Sequence, residues 1–449
     1  MSTRTLKALA PKAAASKAVG PWTPPVPPIS PEASVIDIPA DQYLHRDAPT
    51  DWWWHTGTLT SVDRTFGFEI NAASFQGNLG IGFTQISLTD VDNKKHYQSS
   101  TPYLPPYQFN GSEWAQFDPT RDWYVRLGNP VNCLSAMVVT QGGSGYTQPP
   151  IVNFIGKGLG ATGVSVLGSG PTQGQVVDVL LVNPGLGFTE VPRIELVSAD
   201  GNGSGAKARA IHSYVDMHAL WGSTLTNMRV NALLNDAKTG TEVLFQLQFR
   251  QKGPPFIVWG TGVQPVANKT GGHLDTNNYY YSLTRLHATG FITLENRVYP
   301  VHGVTWMDHE YGGFGTGAGP KWILQDMQLN NGVCISNSVG VTDLGPIQPG
   351  QEIKSHATVQ MPDGTTYALD SFVRPERPTW TSKDSGKTYF MKLHVRIPAF
   401  EAELTVESLV EHQEFFVPGN PVYEGVASVY GMFAGTITSG TAWNEQALP

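Results

Sequence analysis

Val243-Leu244-Phe245-Gln246-Leu247-Gln248-Phe249 sets Phe245, Leu247 and Phe249 on one side of the chain and Gln246 and Gln248 on the other. A period of two is that of a strand with one face buried and one face wet. Lys392-Leu393-His394-Val395-Arg396-Ile397 alternates almost as strictly, and Phe66–Ile70 and Gly80–Ile86 are short runs rich in β-formers. Trp322–Leu329 opens with an apolar run and then alternates less regularly. Gly, Asn and Asp punctuate these runs, and no long stretch carries the period of an amphipathic helix. The fold class expected is all-β.

Composition agrees. The chain has 449 residues, with 48 Gly and 33 Pro, and both residues disfavour helix interiors. Charged residues make up 15%, against about 25% in ordinary soluble proteins. Aromatics reach 10%, so a large core is affordable, and neither a disordered chain nor a coiled coil fits. The net charge of −8 argues against a nucleic-acid partner, which would need a basic footprint. No apolar run of about 18 residues is present, so no transmembrane segment is expected. Cys133 and Cys334 are too few for a disulfide scaffold and read as two free thiols in a reducing cytoplasm. A secretory signal is not recognised, and the expected location is cytoplasmic.

Residues 1–44 read as a disordered tail, Ala- and Lys-rich at first and then Pro-rich through Pro24-Pro25-Val26-Pro27-Pro28. Residues 131–213 have another texture. Gln141-Gly142-Gly143-Ser144-Gly145-Tyr146-Thr147 recurs 42 positions later as Asn183-Pro184-Gly185-Leu186-Gly187-Phe188-Thr189. Two copies of one β-unit are expected to pack on each other as an inserted module, either decorative or in contact with a protein partner.

Candidate chemistry lies outside that module. In Asp51-Trp52-Trp53-Trp54-His55, strand alternation puts Trp52 and Trp54 on one face and Trp53 and His55 on the other, which reads either as barrel-closing core Trp with a satisfied His or as part of a site. In Trp306-Met307-Asp308-His309-Glu310-Tyr311, the residues Trp306, Asp308 and Glu310 share a face, and Met307, His309 and Tyr311 share the opposite one. A carboxyl held against a Trp in apolar surroundings is pushed toward its protonated form and can act as a general acid. Alternatively, Arg285, in Tyr279-Tyr280-Tyr281-Ser282-Leu283-Thr284-Arg285, pairs with Asp308 or Glu310 as a structural ion pair. No metal site is expected, because His309 and Glu310 point to opposite faces and no His-x-x-x-His pair supports them.

These motifs, with Val422-Tyr423-Glu424-Gly425 and Trp443-Asn444-Glu445 near the end, resemble the carotenoid hydratase (hydroxyneurosporene synthase) and AttH-like family. The resemblance covers about 45–130 and 214–449. It extends to kievitone hydratase and, more distantly, to lipocalin-like Diels–Alderases. It implies two consecutive lipocalin-like β-barrels, 45–313 and 314–449, the first interrupted by the 131–213 insertion. An apolar cavity is implied as well, with chemistry that needs no cofactor. Trp54 and His55 depart from the family, which more often has Tyr and an apolar or aromatic residue there.

The activity implied is a hydratase or lyase that adds water to, or removes it from, a C=C bond of a hydrophobic isoprenoid or prenylated substrate. Asp308 falls on the position of the acid. Glu310 or His55 would take the proton from water. Trp53, Trp54, Tyr280, Trp306, Tyr311 and Arg285 are the expected substrate-binding residues. A cofactor-free cyclase and a non-catalytic carrier of lipophiles are the alternatives.

Overall fold

The computed structural model describes residues 24–45, 47–75, 81–103, 120, 122–128, 134, 136–220, 223–236, 238–265, 273–313, 321–417 and 420–449. Cys133 and the first half of the expected tail lie outside them. Among the described residues the chain is almost all strand, with one short α-helix, His273–Thr276, and a few 3₁₀ turns. The all-β class is therefore observed, and its strands form β-barrels.

The first barrel runs, in spatial order, through strands Lys95–Tyr103, Ile81–Asp90, Thr65–Phe75, Thr50–Thr60, Arg297–Gly312, Asn277–Leu294, Glu242–Gln251, Met228–Asn235, Tyr214–Ala219 and Trp123–Gly128. Its interior is filled by Trp53, Phe68, Trp123, Phe245, Phe249 and Tyr281, all fully buried. The alternation read in Glu242–Gln251 is real: Val243, Phe245, Leu247 and Phe249 point inward.

The second barrel orders Ala402–Ser408, Thr388–Ile397, Thr366–Thr381, Ile353–Gln360, Cys334–Gly340, Trp322–Leu329, Thr436–Ala447 and Asn420–Phe433, and closes by pairing the last strand with the first. Ile323, Met327, Leu393, Phe400 and Leu404 belong to its core.

The barrels face each other through one side of each wall. Burial on both faces follows for the wall strand Arg297–Gly312, where residues 305–309 are all buried. Side chains pin the junction. Gln328 Nε2 donates across it to the carbonyls of Thr284 (2.6 Å) and Thr305 (2.9 Å), and Gln98 Nε2 donates to the Glu414 carbonyl (2.7 Å).

Residues 24–44, expected within the disordered tail, are instead packed against both barrels. Val26 packs on the second core and Ile29 N donates to the Thr366 carbonyl (2.8 Å). Ile36 and Ile38 pack on the first core, and Tyr43 and Leu44 are buried within it. The Gln42 carbonyl accepts the indole N–H of both Trp53 (3.0 Å) and Trp123 (2.8 Å). Apolar residues every few positions after the prolines supply the burial that a tail would lack.

Strands 136–211 form a separate six-stranded sheet, ordered Ala136–Ser144, Ser204–Ile211, Arg193–Val197, Ile151–Ile155, Leu159–Leu167 and Val176–Leu186. Exchanging the two repeats reverses this order onto itself, so the sheet has a pseudo-two-fold between Arg193–Val197 and Ile151–Ile155. Tyr146 and Phe188, which correspond in the repeat, are both buried in its core. Gly143 and Gly185 correspond too, at φ of 65° and 66°, a left-handed conformation that suits glycine.

Candidate active site

Three neighbouring wall strands carry the candidate residues, and register fixes which ones meet. Asp308 lies opposite Trp54 on one side and Ser282 on the other; Glu310 lies opposite Trp52 and Tyr280; Trp306 lies opposite Thr56. All of these outward side chains face the second barrel. There, Trp322–Leu329 presents Trp322 and Asp326, and Thr436–Ala447 presents Trp443 and Glu445.

Asp308 accepts hydrogen bonds from Ser282 Oγ (2.5 Å) and Trp306 Nε1 (2.7 Å) through one oxygen, Oδ1. Burial raises its pKa to about 6, and the Ser282, Trp306 and Tyr280 donors hold that rise back. Glu310 accepts from Trp52 Nε1 (3.2 Å) and from Asn278 Nδ2. Its pKa goes up to about 8, mainly by burial, with the Asn278 bond opposing and the Asp308 charge adding to the rise.

Across the junction, Trp322 Nε1 donates to Glu445 (3.2 Å) and Trp443 Nε1 to Glu424 (2.6 Å). Burial and the Asp308 charge push Glu445 to about 8. Asp326, Glu424 and Glu69 are likewise pushed well above the ordinary carboxyl range, by burial first and then by a neighbouring charge, that of Asp308 for Asp326 and that of Glu445 for Glu424 and Glu69. One oxygen each of Asp308, Asp326 and Glu445 lie within 4.8 Å of one another. Among the described residues none of these six carboxyls forms an ion pair with Lys or Arg. An isolated charge is costly in such a place, so the cluster keeps protons at neutral pH. Chemically it is a store of carboxylic acid between aromatic walls.

Trp54, with Trp322, lies against Phe415, Val422 and Ala447 as an apolar patch beside these acids. Trp306 and Tyr280 pack with Phe256, Val258 and Cys334 below them. Of the expected site residues, Asp308, Glu310, Trp54, Tyr280 and Trp306 are thus brought together at the junction.

Four others are not. His55, Trp53 and Tyr311 point into the first barrel, on the far side of the wall from Asp308. His55 rests against Phe249, ring centroids 5.0 Å apart, with no hydrogen-bond partner for either ring nitrogen among the described residues. Burial lowers its pKa to about 3, so it is a neutral imidazole that cannot reach a water beside Asp308. The expected role of His55 as proton acceptor there is corrected by the alternation of the strand itself. Arg285 is also elsewhere. It lies where the register of Asn277–Leu294 shifts and donates Nη2 to the carbonyls of Gly332 (3.0 Å) and Met361 (2.7 Å), bracing the second barrel rather than pairing with Asp308 or Glu310.

The inner face holds a second polar group that sequence reasoning missed. His309 Nε2 is 2.7 Å from Asp51 Oδ1, and His45 Nδ1 is 3.3 Å from Asp51 Oδ2. His45 Nε2 is 3.1 Å from Asp41, and Tyr281 Oη is 3.0 Å from His309 Nδ1. Burial works against charge on His45, but the carboxylates of Asp41 and Asp51 outweigh it and raise its pKa. Tyr311 stacks on His45 with centroids 3.6 Å apart, and Trp53 stacks on His309. Asp41 comes from the residues assigned to the tail and His45 from immediately after them, which hid the network. His45, Asp51 and His309 carry donors close enough for a cation, as do Asp308, Asp326 and Glu445. In the first set the imidazoles and the carboxylate already satisfy one another. Asp326 and Glu445 were also missed, although an Asp within Trp322–Leu329 and the Trp-Asn-Glu near the chain end were visible signals.

A two-barrel all-β chain with buried acids at the junction defines the class, and comparison with known proteins places it. The AttH-like family model matches residues 195–445, more than half of the chain, and the chain belongs to the AttH-like family. Among solved structures it is similar to a protein of Nitrosomonas europaea assigned as AttH, at 15% identity and a TM-score of 0.57, covering 94% of this chain and 99% of the other. It is also similar to kievitone hydratase of Nectria haematococca, at 12% identity and a TM-score of 0.54, covering 95% and 98%. At such identities the likeness is one of fold. Comparison with curated proteins finds no match.

Proposed function

We propose that the chain is a cofactor-independent hydratase or hydro-lyase acting on a C=C bond of a hydrophobic isoprenoid or prenylated substrate, with Asp308 as the acid. The observation that carries this reading is the Asp308 carboxyl itself: buried, poised at about 6, and held by Trp306 and Ser282 among further buried carboxyls whose pKa values are raised. An acid of that strength, out of water, suits protonation of a trisubstituted alkene at neutral pH. The tertiary cation that results is stabilised by aromatic faces, each worth about 0.5–2 kcal/mol; Trp54, Trp322 and Phe415 offer them at the junction. The kievitone hydratase likeness in fold adds support.

Asp308→Asn keeps the shape and the Trp306 bond but removes the proton. Turnover of a dimethylallyl-substituted phenol is expected to fall by at least about 100-fold, with an unchanged melting temperature and undiminished uptake of the phenol. Retained hydration in that variant removes Asp308 from the acid role. Turnover to a cyclised product in the same variant favours a cyclase, and uptake without any chemistry in the unsubstituted protein favours a carrier.

A further inference from the structure

Hydration needs a proton acceptor as well as a donor, and the correction of His55 leaves Glu310 at the junction, whose two oxygens already accept from Trp52 and Asn278. The orphaned polar atoms of the protein indicate where the acceptor's role is filled. On the outward face of the first barrel they fall in two cross-strand rows: Trp54, Asn71 and Gln85 in line with Asp308, and Thr56, Glu69 and Ser87 in line with Trp306. Across from them, neither carboxylate oxygen of Asp326 has a hydrogen-bond partner among the described residues. The Ser336 hydroxyl, paired with Asp326 across the strands, falls short of hydrogen-bond geometry. Buried polar groups of this kind are ordinarily satisfied, by protein or by water. Asp326 and Thr56 both line one small cavity of about 10 Å³, with Trp306 and Gln328. That is about the volume that admits a single water, and such a water needs two to four polar partners. Asp326 and Thr56 supply them, and Trp306 ties this wall to Asp308 through its indole N–H.

Resting on the hydratase reading, we infer that Asp326, contributed by the second barrel, seats the water that adds to the substrate and takes its proton. Asp308 gives its carboxyl proton to one alkene carbon; the π pair forms the new C–H bond and the other carbon becomes a tertiary cation. A lone pair of the seated water forms the C–O bond, and the proton released from that oxygen goes to the Asp326 carboxylate. From there it passes to Asp308, directly or through Glu445, whose oxygens lie within 4.8 Å of both. The site returns to its starting state, and the net change is H and OH across the double bond. Three close carboxyls resist carrying more than one charge among them; burial raises Asp326 further than Asp308, so the reactive arrangement, with the proton on Asp308 and the charge on Asp326, is reached by proton transfer between the two. Glu310 and Tyr280 on the first wall, Cys334 beside Asp326, and Glu424 and Glu69 beyond Glu445 are the other titratable groups around them among the described residues. None of them supplies a compensating positive charge.

Two measurements test the inference. A neutron structure of the unsubstituted protein at neutral pD is expected to show one water bonded to Asp326 and Thr56, and at least one deuteron on the Asp308, Asp326 and Glu445 carboxyls. A dry cavity, or three ionised carboxylates, overturns it whatever the activity. With a dimethylallyl phenol in D₂O, Asp326→Asn is expected to lose hydration by at least about 100-fold while deuterium still enters the recovered alkene, because Asp308 still protonates it. Asp308→Asn loses both. If Asp326→Asn hydrates within a few-fold of the unsubstituted protein, or loses deuterium entry as well, Asp326 is not the acceptor. If the unsubstituted protein neither hydrates nor exchanges the phenol, the hydratase reading fails, and the inferred role of Asp326 falls with it even where the neutron structure shows the water.

Discussion

Glu310 has Trp52 and Asn278 as its hydrogen-bond partners and, among the described residues, no cation beside it, and its pKa of about 8 follows from its burial. The folded chain therefore holds a proton that the unfolded chain, with a carboxyl near 4.5, releases. The stability linked to this group is full below about pH 4.5 and is lost as pH rises through about 8. Glu445 acts in the same sense. His55 acts in the opposite one: with its pKa lowered from 6.5 to about 3, stability is lost as pH falls through that interval. Glu310→Gln, which keeps a donor and acceptor but cannot ionise, is expected to raise the melting temperature at alkaline pH and to leave it nearly unchanged at pH 5. Calorimetry at both values checks this. An equal offset at the two would mean that Glu310 is already ionised in the folded chain.

Strand alternation in the sequence separates Trp306, Asp308 and Glu310 from Met307, His309 and Tyr311, and the registers of the wall confirm that separation. Which of the two faces looks inward was not legible. In Glu242–Gln251 polar residues mark the wet side, but residues 305–309 are buried on both faces because the second barrel covers the outer one. His55 and Asp308 were therefore assigned to one site although a sheet divides them. The turn at Ala40–Gln42 was hidden for another reason: what it offers the two indoles is a backbone carbonyl, which no side-chain pattern reports. Its importance can be measured by truncation. Removing the chain through Leu44 exposes the space held by Tyr43 and Leu44, a loss of about 3–6 kcal/mol at roughly 1.5–3 kcal/mol per large side chain, and leaves the Trp53 and Trp123 N–H groups without their acceptor. Removing only residues 1–23 is expected to change the melting temperature little. Equal stability of the two truncated forms would show that the turn does not hold the barrel closed.

At the scale of the whole molecule, the repeat module leaves and re-enters between residues that are already neighbours. Gly128 and Tyr214 are paired on adjacent strands of the first barrel, so the chain could pass from one to the other in a tight turn. The module has its own core of Met137, Tyr146, Val179 and Phe188. Its described ties to the barrel include Arg209, which donates to Asn235 and to the Asp236 carbonyl. Replacing 131–213 by a short Gly-Ser bridge is expected to leave a folded two-barrel protein that binds and hydrates as before, with a modestly lower melting temperature from the lost Arg209 contacts. A folded but inactive deletion would mean that the module completes the site. The repeat period was legible because its glycines and aromatics recur at fixed spacing, whereas Asp326 and Glu445 acquire their meaning only when two separately built barrels meet.

The N-terminal strap spans those two barrels, and its docking has an order in time. Ile29 bonds to Thr366, which is synthesised 337 residues later, whereas Ile36 and Ile38 rest on a barrel whose last strand ends at Gly312. A ribosome adds about 5–20 residues per second, so the first barrel can form while the core that Val26 packs on and the carbonyl that the Ile29 N–H reaches do not yet exist. A segment made early is then among the last to find its full place. Until the second barrel is made, Val26 has no core to pack on.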